Sequence, residues 1–501
     1  MHFVQCTVVF VLVLYIYGVY WLLRRRWRHG YFARHHIRGP ERNILWGNSH
    51  QLRKEPLSTL RKWIKEYGSY FGYYEGGRPV VVLSDVNTIQ KVLYDPVFRS
   101  RPVPPTIEPF SAAVEMLKGS QWRNIRSAVV QCFAEYRLAK MLPLIGDVSR
   151  TFTEITMEYA RLNRSINISD LADRFALEVL ARSALAVEAG CLYPKTTLEE
   201  YARGQPHRLL ALVQYIPFVR HFSGILSYLT QHGRATANVV AYLRSVIELR
   251  REGELLPRDD LLQFLLDATR KHRNGQREVI SNALQFVSAF EATGSFMTFL
   301  LHVLADHPQL QERLGQEVHN LPDEFSLEDL EELPFLDATL RETLRLFPPK
   351  PHFVTRECRR SSTLNGFFFP EGCSVLVPVF HIHRDPQLWE DPDDFRPERF
   401  LNTESSNNNA SQSHPAQYMP FGLGPRSCVG SRFVTLAVKV AMIHFLRELR
   451  FRPGPGFQSP LELTLAGSQD NLRPVRDITI RAVLLSSFNS THPGRVNHFR
   501  M

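Results

Sequence analysis

The sequence predicts a mainly α-helical domain with a minor β-sheet region, carried behind one N-terminal transmembrane helix. Three observations carry that prediction. Apolar residues recur three and four apart over 141–161, 172–189, 234–252, 258–271, 279–305, 308–319, 326–346 and 430–448, the period of a helix with one buried face. Short runs at 70–74, 80–84, 374–378 and 478–483 read as strands. A single stretch, 3–23, is apolar enough to cross a bilayer.

The N-terminal run comes first. Its only polar side chains are Gln5, Thr7 and the tyrosines. At about 1.5 Å per residue it spans roughly 30 Å, the hydrocarbon thickness of a membrane. Arg24, Arg25, Arg26 and Arg28 follow at once, with Trp27 among them. Such a cluster holds its side of the membrane in the cytoplasm. A cleaved signal peptide fits less well, because no basic segment precedes the run and no small-residue cleavage site closes it. The body is therefore expected in the cytosol, with reduced thiols. There the sequons at Asn163, Asn167, Asn409 and Asn489 are chance matches.

Behind the anchor (1–23) come a basic linker (24–40), one large domain (41–485) and a polar tail (486–501). No repeat and no strong internal linker divides the domain. His307-Pro308 punctuates the longest helical pattern at its C-terminal end. The Asn/Ser-rich stretch 402–413 reads as a solvated loop. Hydrophobic residues make up 44% of the 501 positions and charged ones 22%, which excludes a disordered chain. Six cysteines are too sparse for a disulfide scaffold. A net charge of +10 fits nucleic acid, an anionic membrane or an acidic partner.

The strongest chemical feature lies near the C-terminus. Residues 421–430 read FGLGPRSCVG, placing Cys428 in a glycine-rich loop that opens a long apolar helix. Free backbone N–H groups and the helix dipole favour a thiolate there. Gly422, Gly424 and Gly430 permit close approach of something flat and bulky, and Arg426 can pair an anion. A lone cysteine is a poor zinc site, but it suffices for a haem with one axial thiolate.

This pattern, FxxGxRxCxG, resembles the haem-binding signature of the cytochrome P450 family. Other matches follow in the family's order. Glu342-Thr-Leu-Arg345 puts opposite charges at i and i+3 of a helix, and Pro397-Glu-Arg399-Phe400 follows. By the resemblance, Glu342, Arg345 and Arg399 form a buried structural triad. Trp122-Arg-Asn-Ile-Arg126 is similar to the family's WxxxR. The resemblance implies haem b, with Cys428 on the iron, Phe421 and Gly430 in the loop, and Trp122, Arg126, Arg356 and Arg426 on the propionates. It covers 1–485 and looks closest to the microsomal steroid- and drug-oxidising group and its thromboxane-synthase relatives.

The chain departs from the family in the helix over the oxygen side. The usual A-G-x-[DE]-T-[TS] reads Ser288-Ala289-Phe290-Glu291-Ala292-Thr293. Glu291 keeps the acid. Ala289 replaces the glycine that helps the helix bend, and Ala292 replaces the threonine whose hydroxyl supports proton delivery. Thr293 is one step along, about 100° round the helix. Two readings follow. In one, the protein is a monooxygenase inserting one oxygen atom of O2 into a sterol, fatty acid or xenobiotic, with Glu291 and Thr293 as catalytic candidates. In the other, it isomerises or dehydrates peroxides without O2 or a reductase. A non-catalytic haem or lipid binder is a weaker third.

The resemblance further implies electrons from NADPH-cytochrome P450 reductase, with cytochrome b5 as a second donor, and an endoplasmic reticulum membrane location. Arg126, Arg432 and Lys439 are candidates to face the acidic reductase. It implies a pocket for a lipophilic substrate lined by Phe110, Phe286, Phe290, Ala292, Phe353, Val354 and Ala466, with 209–229 touching the bilayer. The charge then needs no nucleic acid, because four of its arginines flank the anchor.

Overall fold

The computed structural model describes residues 2–102, 108–187, 190, 230–256, 258–272, 274–401, 414–466 and 471–485. The 209–229 stretch, the 402–413 insertion and the polar tail lie outside the described residues.

Helix α1 (His2–His29) runs through the apolar segment and the arginine cluster without a break. It is long and apolar enough to cross a membrane. Its last turns rest on the hairpin of β1 (Tyr70–Glu75) and β2 (Arg78–Leu83). Arg25 Nε donates to the Ile44 carbonyl at 3.1 Å, and the Tyr74 hydroxyl donates to the His29 carbonyl at 2.7 Å. The basic segment expected to be a linker is thus helical and docked on the domain, because Arg25 and His29 find backbone partners there.

The catalytic body is mostly helix. α2 (Gly119–Gln131) leads into α3 (Glu135–Arg161), β3 (Ser165–Asn167) and α4 (Ile168–Leu185). α5 (Gln231–Glu252), α6 (Gly275–Val287), α7 (Phe290–Asp306), α8 (Pro308–His319) and α9 (Pro334–Leu346) follow. Pro308 and Pro334 sit at the first helical positions of α8 and α9, where a missing N–H costs nothing. That proline also splits the 326–346 pattern, since 327–331 is a separate short helix.

β4 (Phe353–Glu357) and β5 (Ser374–Val377) join the first hairpin in a sheet of order β1-β2-β5-β4, with β2 and β5 parallel. α10 (Ser431–Glu448) precedes β6 (Leu449–Pro453), the hairpin of β7 (Leu463–Ala466) and β8 (Asn471–Pro474), and β9 (Thr479–Leu484). β9 lies between β3 and β6.

A large core fills the space between α3, α4, α6, α7 and α10. Phe152 stacks on Phe175 at 4.7 Å and meets Phe445 at 4.8 Å, pinning α3 to α4 and α10. Gly294 of α7 faces Asp173 of α4 so closely that a Cβ would collide with it.

The pattern expected to be one helix over 279–305 is two. The break falls at Ser288 and Ala289. The Ser288 hydroxyl donates to the Gln285 carbonyl at 2.7 Å, and Thr293 Oγ1 donates to the Ala289 carbonyl at 3.2 Å. Hydroxyls that bond back to the preceding turn bend helices. The bend therefore forms without the glycine.

Candidate functional site

The loop ahead of α10 is held by its own backbone. Cys428 N–H donates to the Phe421 carbonyl at 2.9 Å. Gly422 and Gly424 have φ of 74° and 75°, a region that strains other residues. A Cβ on Gly424 would also lie 2.6 Å from the Leu93 carbonyl oxygen. Gly430 is different: its φ is ordinary, and a Cβ would meet only the Phe133 ring at 3.8 Å.

Cys428 is exposed, whereas Cys132, Cys358 and Cys373 are buried. Protein nonetheless surrounds it: desolvation raises its thiol pKa, against the lowering effect of the Gly430 N–H, Arg101 and Arg126. The net upward direction corrects the expectation that the helix start alone yields a thiolate. A metal cation at the sulfur is what reverses that balance.

Four arginines gather beside this loop. Arg126 Nη1 donates to the Ser427 carbonyl at 2.7 Å, and Arg101 Nη2 to the Arg426 carbonyl at 2.8 Å. Arg356 is 1% exposed, and burial followed by Arg101, Arg426 and Arg126 lowers its pKa to about 9. Arg426 is lowered to about 9 by burial, Arg101 and Arg126. Depressed guanidinium values mark unmet positive charge.

The residues fit a dicarboxylate cofactor. The Trp122 indole N–H is buried without a partner among the described residues, as is Arg101 Nε. Trp122 and Arg126 share one face of α2, and the Arg426 guanidinium lies 3.9 Å over the Trp122 ring. One expectation changes. Arg426 donates to the carbonyls of Arg99, Val114 and Leu117, so it secures the segment before α2 and offers charge rather than free donors. Arg101 was not singled out from the sequence; its place just after Phe98 carries no motif that reports a neighbour in the 421–430 loop.

The ion-pair triad is assembled away from the loop. Glu342 and Arg345 are both fully buried, with two contacts of 2.8 and 2.9 Å. Arg399 Nε reaches the same carboxylate at 3.1 Å. Arg345 also donates to the carbonyls of His383, Pro392 and Asp394, which ties α9 to the segment after β5.

On the paired helices α6 and α7, every residue from Val279 to Ala305 is buried except Gln285, Ser288, Ala289 and Ala292. These fall at i, i+3, i+4 and i+7, a single face. Ala292 therefore occupies the open face, while Thr293 is buried with its hydroxyl on a backbone carbonyl. Glu291 is 5% exposed and accepts from Asn471 Nδ2 of β8 at 2.9 Å. Both catalytic candidates thus sit beside the open face, not on it.

The remaining candidates are placed as follows. Phe286 and Phe290 belong to the core, with Phe286 edge-on to Phe133 at 5.4 Å; they lie a helical step or two off the open face. Phe110 is half-buried in a short 3-10 turn and Ala466 is exposed at the end of β7. Phe353 and Val354 lie in β4, with side chains outside the description. Lys439 does not face a partner: it is buried and pairs with Asp337 at 2.7 Å. Arg432 is exposed.

The cytochrome P450 family model matches residues 37–470. The chain is 28% identical over 487 residues to cytochrome P450 3A29 of Sus scrofa, covering 93% of this chain and 94% of that one. It is 27% identical over 486 residues to cytochrome P450 3A28 of Bos taurus, covering 93% of each. Identity to cytochrome P450 3A5 of Homo sapiens is 28% over 487 residues, at 93% and 94% coverage. With this match spanning the helical body and the cysteine loop, the chain belongs to the cytochrome P450 family, the haem-thiolate monooxygenases.

Proposed function

We propose that the protein oxidises a lipophilic substrate, a sterol, fatty acid or xenobiotic, using electrons that NADPH-cytochrome P450 reductase delivers to a cytosolic domain anchored in the endoplasmic reticulum by α1. The observation that carries this reading is the exposed but enclosed Cys428 thiol beside four arginines and the Trp122 N–H, which has no partner among the described residues.

In this reading Cys428 would ligate the haem iron through its sulfur, and Trp122, Arg101, Arg126 and Arg356 would hold the two carboxylates. Haem supplies oxygen activation when bound. The protein's residues do the rest. Arg126 fixes the loop through the Ser427 carbonyl. α6 and α7 would border the substrate with the part-open face of Gln285, Ser288, Ala289 and Ala292. Ala292 presents a methyl group where a hydroxyl is usual, so proton supply falls to Glu291 and ordered water.

The Ala292 position also favours a second reading, peroxide isomerisation without external electrons. Purified full-length protein, reconstituted with the reductase in phospholipid vesicles, separates the two. Monooxygenation predicts a thiolate-type band of the reduced carbon monoxide complex and NADPH consumption with a sterol or fatty acid. Turnover of lipid hydroperoxides with no NADPH consumed would overturn it in favour of the isomerase.

A further inference from the structure

The open face of α6 and α7 carries a polar end that no family motif describes. Glu115, on the segment before α2, has both carboxylate oxygens engaged. Oε1 accepts from Arg101 Nη1 at 3.1 Å, and Oε2 accepts from Gln285 Nε2 at 3.0 Å. Gln285 Nε2 also donates to Ser288 Oγ at 3.2 Å. An ionised carboxylate only accepts, so this contact sets which way the Gln285 amide faces. Arg101 in turn donates to the carbonyl of Arg426, two residues before Cys428. One connected set of bonds therefore runs from the cysteine loop to the part-open face formed by Gln285, Ser288, Ala289 and Ala292.

We propose that Glu115, fixed by Arg101 and Gln285, is a specificity-determining residue that accepts a hydrogen bond from a hydroxyl group on the substrate. The proposal rests on the reading that this face borders the substrate site.

The chemistry narrows the occupant. A carboxylate offers about four acceptor positions, and among the described residues one on each oxygen is taken. Glu115 is part-exposed, with 44% of its side chain accessible, so the rest are open to a donor. Four arginines stand nearby, which disfavours a cationic amine and leaves a neutral hydroxyl. Beyond Gln285 and Ser288 the part-open face continues as Ala289 and Ala292, an apolar stretch beside the polar end. The occupant is therefore a lipophile that carries a hydroxyl.

The test uses the full-length holoprotein in vesicles and two probes, androstanol and androstane, which differ only in the hydroxyl. Equilibrium dissociation constants and ligand-induced melting shifts are measured for the native chain, Glu115→Ala, Glu115→Gln and Gln285→Leu. The native chain should prefer androstanol about tenfold, the worth of one hydrogen bond to a charged group. Glu115→Ala should abolish that preference, and Gln285→Leu should reduce it. Should Glu115→Ala fail to fold, the Glu115→Gln and Gln285→Leu ratios decide. Equal binding of both probes by the native chain, an unchanged ratio in the variants, or a parallel loss for both probes overturns the proposal. The reduced carbon monoxide spectrum of each sample reports separately on the haem site. A missing thiolate band in the native chain refutes the proposed function, whereas an intact band with an unchanged ratio refutes only this inference.

Discussion

The Thr293 hydroxyl donates to the Ala289 carbonyl oxygen at 3.2 Å, across the break between α6 and α7. The bond does two things at once. It stabilises the bend between the two helices, and it turns the Thr293 hydroxyl beside Ala292 into the helix backbone. The bend forms without a glycine, and Ala292 leaves its own position on the open face without a hydroxyl.

Ala292→Thr should restore that hydroxyl. Position 292 is partly accessible, so the larger side chain has room, and its cost in helix propensity is below about 1 kcal/mol. The fraction of NADPH electrons recovered in product should rise severalfold, with Thr293→Val unchanged within error. Coupling that stays flat in Ala292→Thr would show that the missing hydroxyl does not limit proton supply.

Glu342→Ala should be severe. The carboxylate is fully buried between Arg345 and Arg399, and its removal leaves uncompensated charge in the interior. The expected loss is about 3–5 kcal/mol, read as a lower urea midpoint or as failure to accumulate folded protein. Glu342→Gln should fall between the two. A midpoint for Glu342→Ala within error of the native one would mean that the triad adds nothing to stability.

Trp122→Phe removes one donor but keeps a ring for the Arg426 guanidinium to cover. Transfer of haem to apomyoglobin should be about tenfold faster, the worth of a charge-assisted hydrogen bond. Melting of the haem-free protein should not change, because the indole N–H has no partner among the described residues. Equal transfer rates would remove Trp122 from the carboxylate clamp.

His383 predicts acid sensitivity. It is fully buried, its Nδ1 lies 3.0 Å from the Arg345 carbonyl, and its Nε2 accepts from the Met419 N–H at 3.1 Å. Both contacts suit a neutral ring with hydrogen on Nδ1. Burial pushes its pKa down to about 3, from 6.5. The folded chain thus binds fewer protons than the unfolded chain between those values. Stability is full above pH 6.5 and falls as pH drops toward 3, by up to about 1.4 kcal/mol per unit for this one group. Urea midpoints at pH 7, 5.5 and 4.5 should fall less steeply in His383→Gln than in the native chain. Parallel slopes would exclude His383 as the source.

The helices and strands were legible because their signal is local. Apolar spacing places α4, α5, α8 and α10 within four residues of their observed ends, and the four expected strand runs coincide with β1, β2, β5 and β9, whereas β3, β4, β6, β7 and β8 were not expected. The cysteine loop and the charges of Glu342 and Arg345 were legible for the same reason, since each lies within one short segment. The break at Ser288 was not. Alanine and serine are ordinary helix residues, and the bend depends on where two hydroxyls find their acceptors.

What the sequence by itself determined is therefore most of the helices, the apolar N-terminal helix, the cysteine loop and the family. What only the tertiary structure decided is which faces meet. Phe286 and Phe290 fit an aromatic pocket by pattern, yet they pack in the core, because periodicity says which residues share a face and not what that face touches. Lys439 is cationic in the sequence and buried on Asp337 in the fold. Arg101, Glu115 and Gln285 are separated by up to 184 positions in the chain, and no local rule relates them. Only the packing of the segment before α2 against α6 brings their charges within hydrogen-bond reach, because a bond of about 3 Å is set by where the backbones lie and not by spacing along the chain.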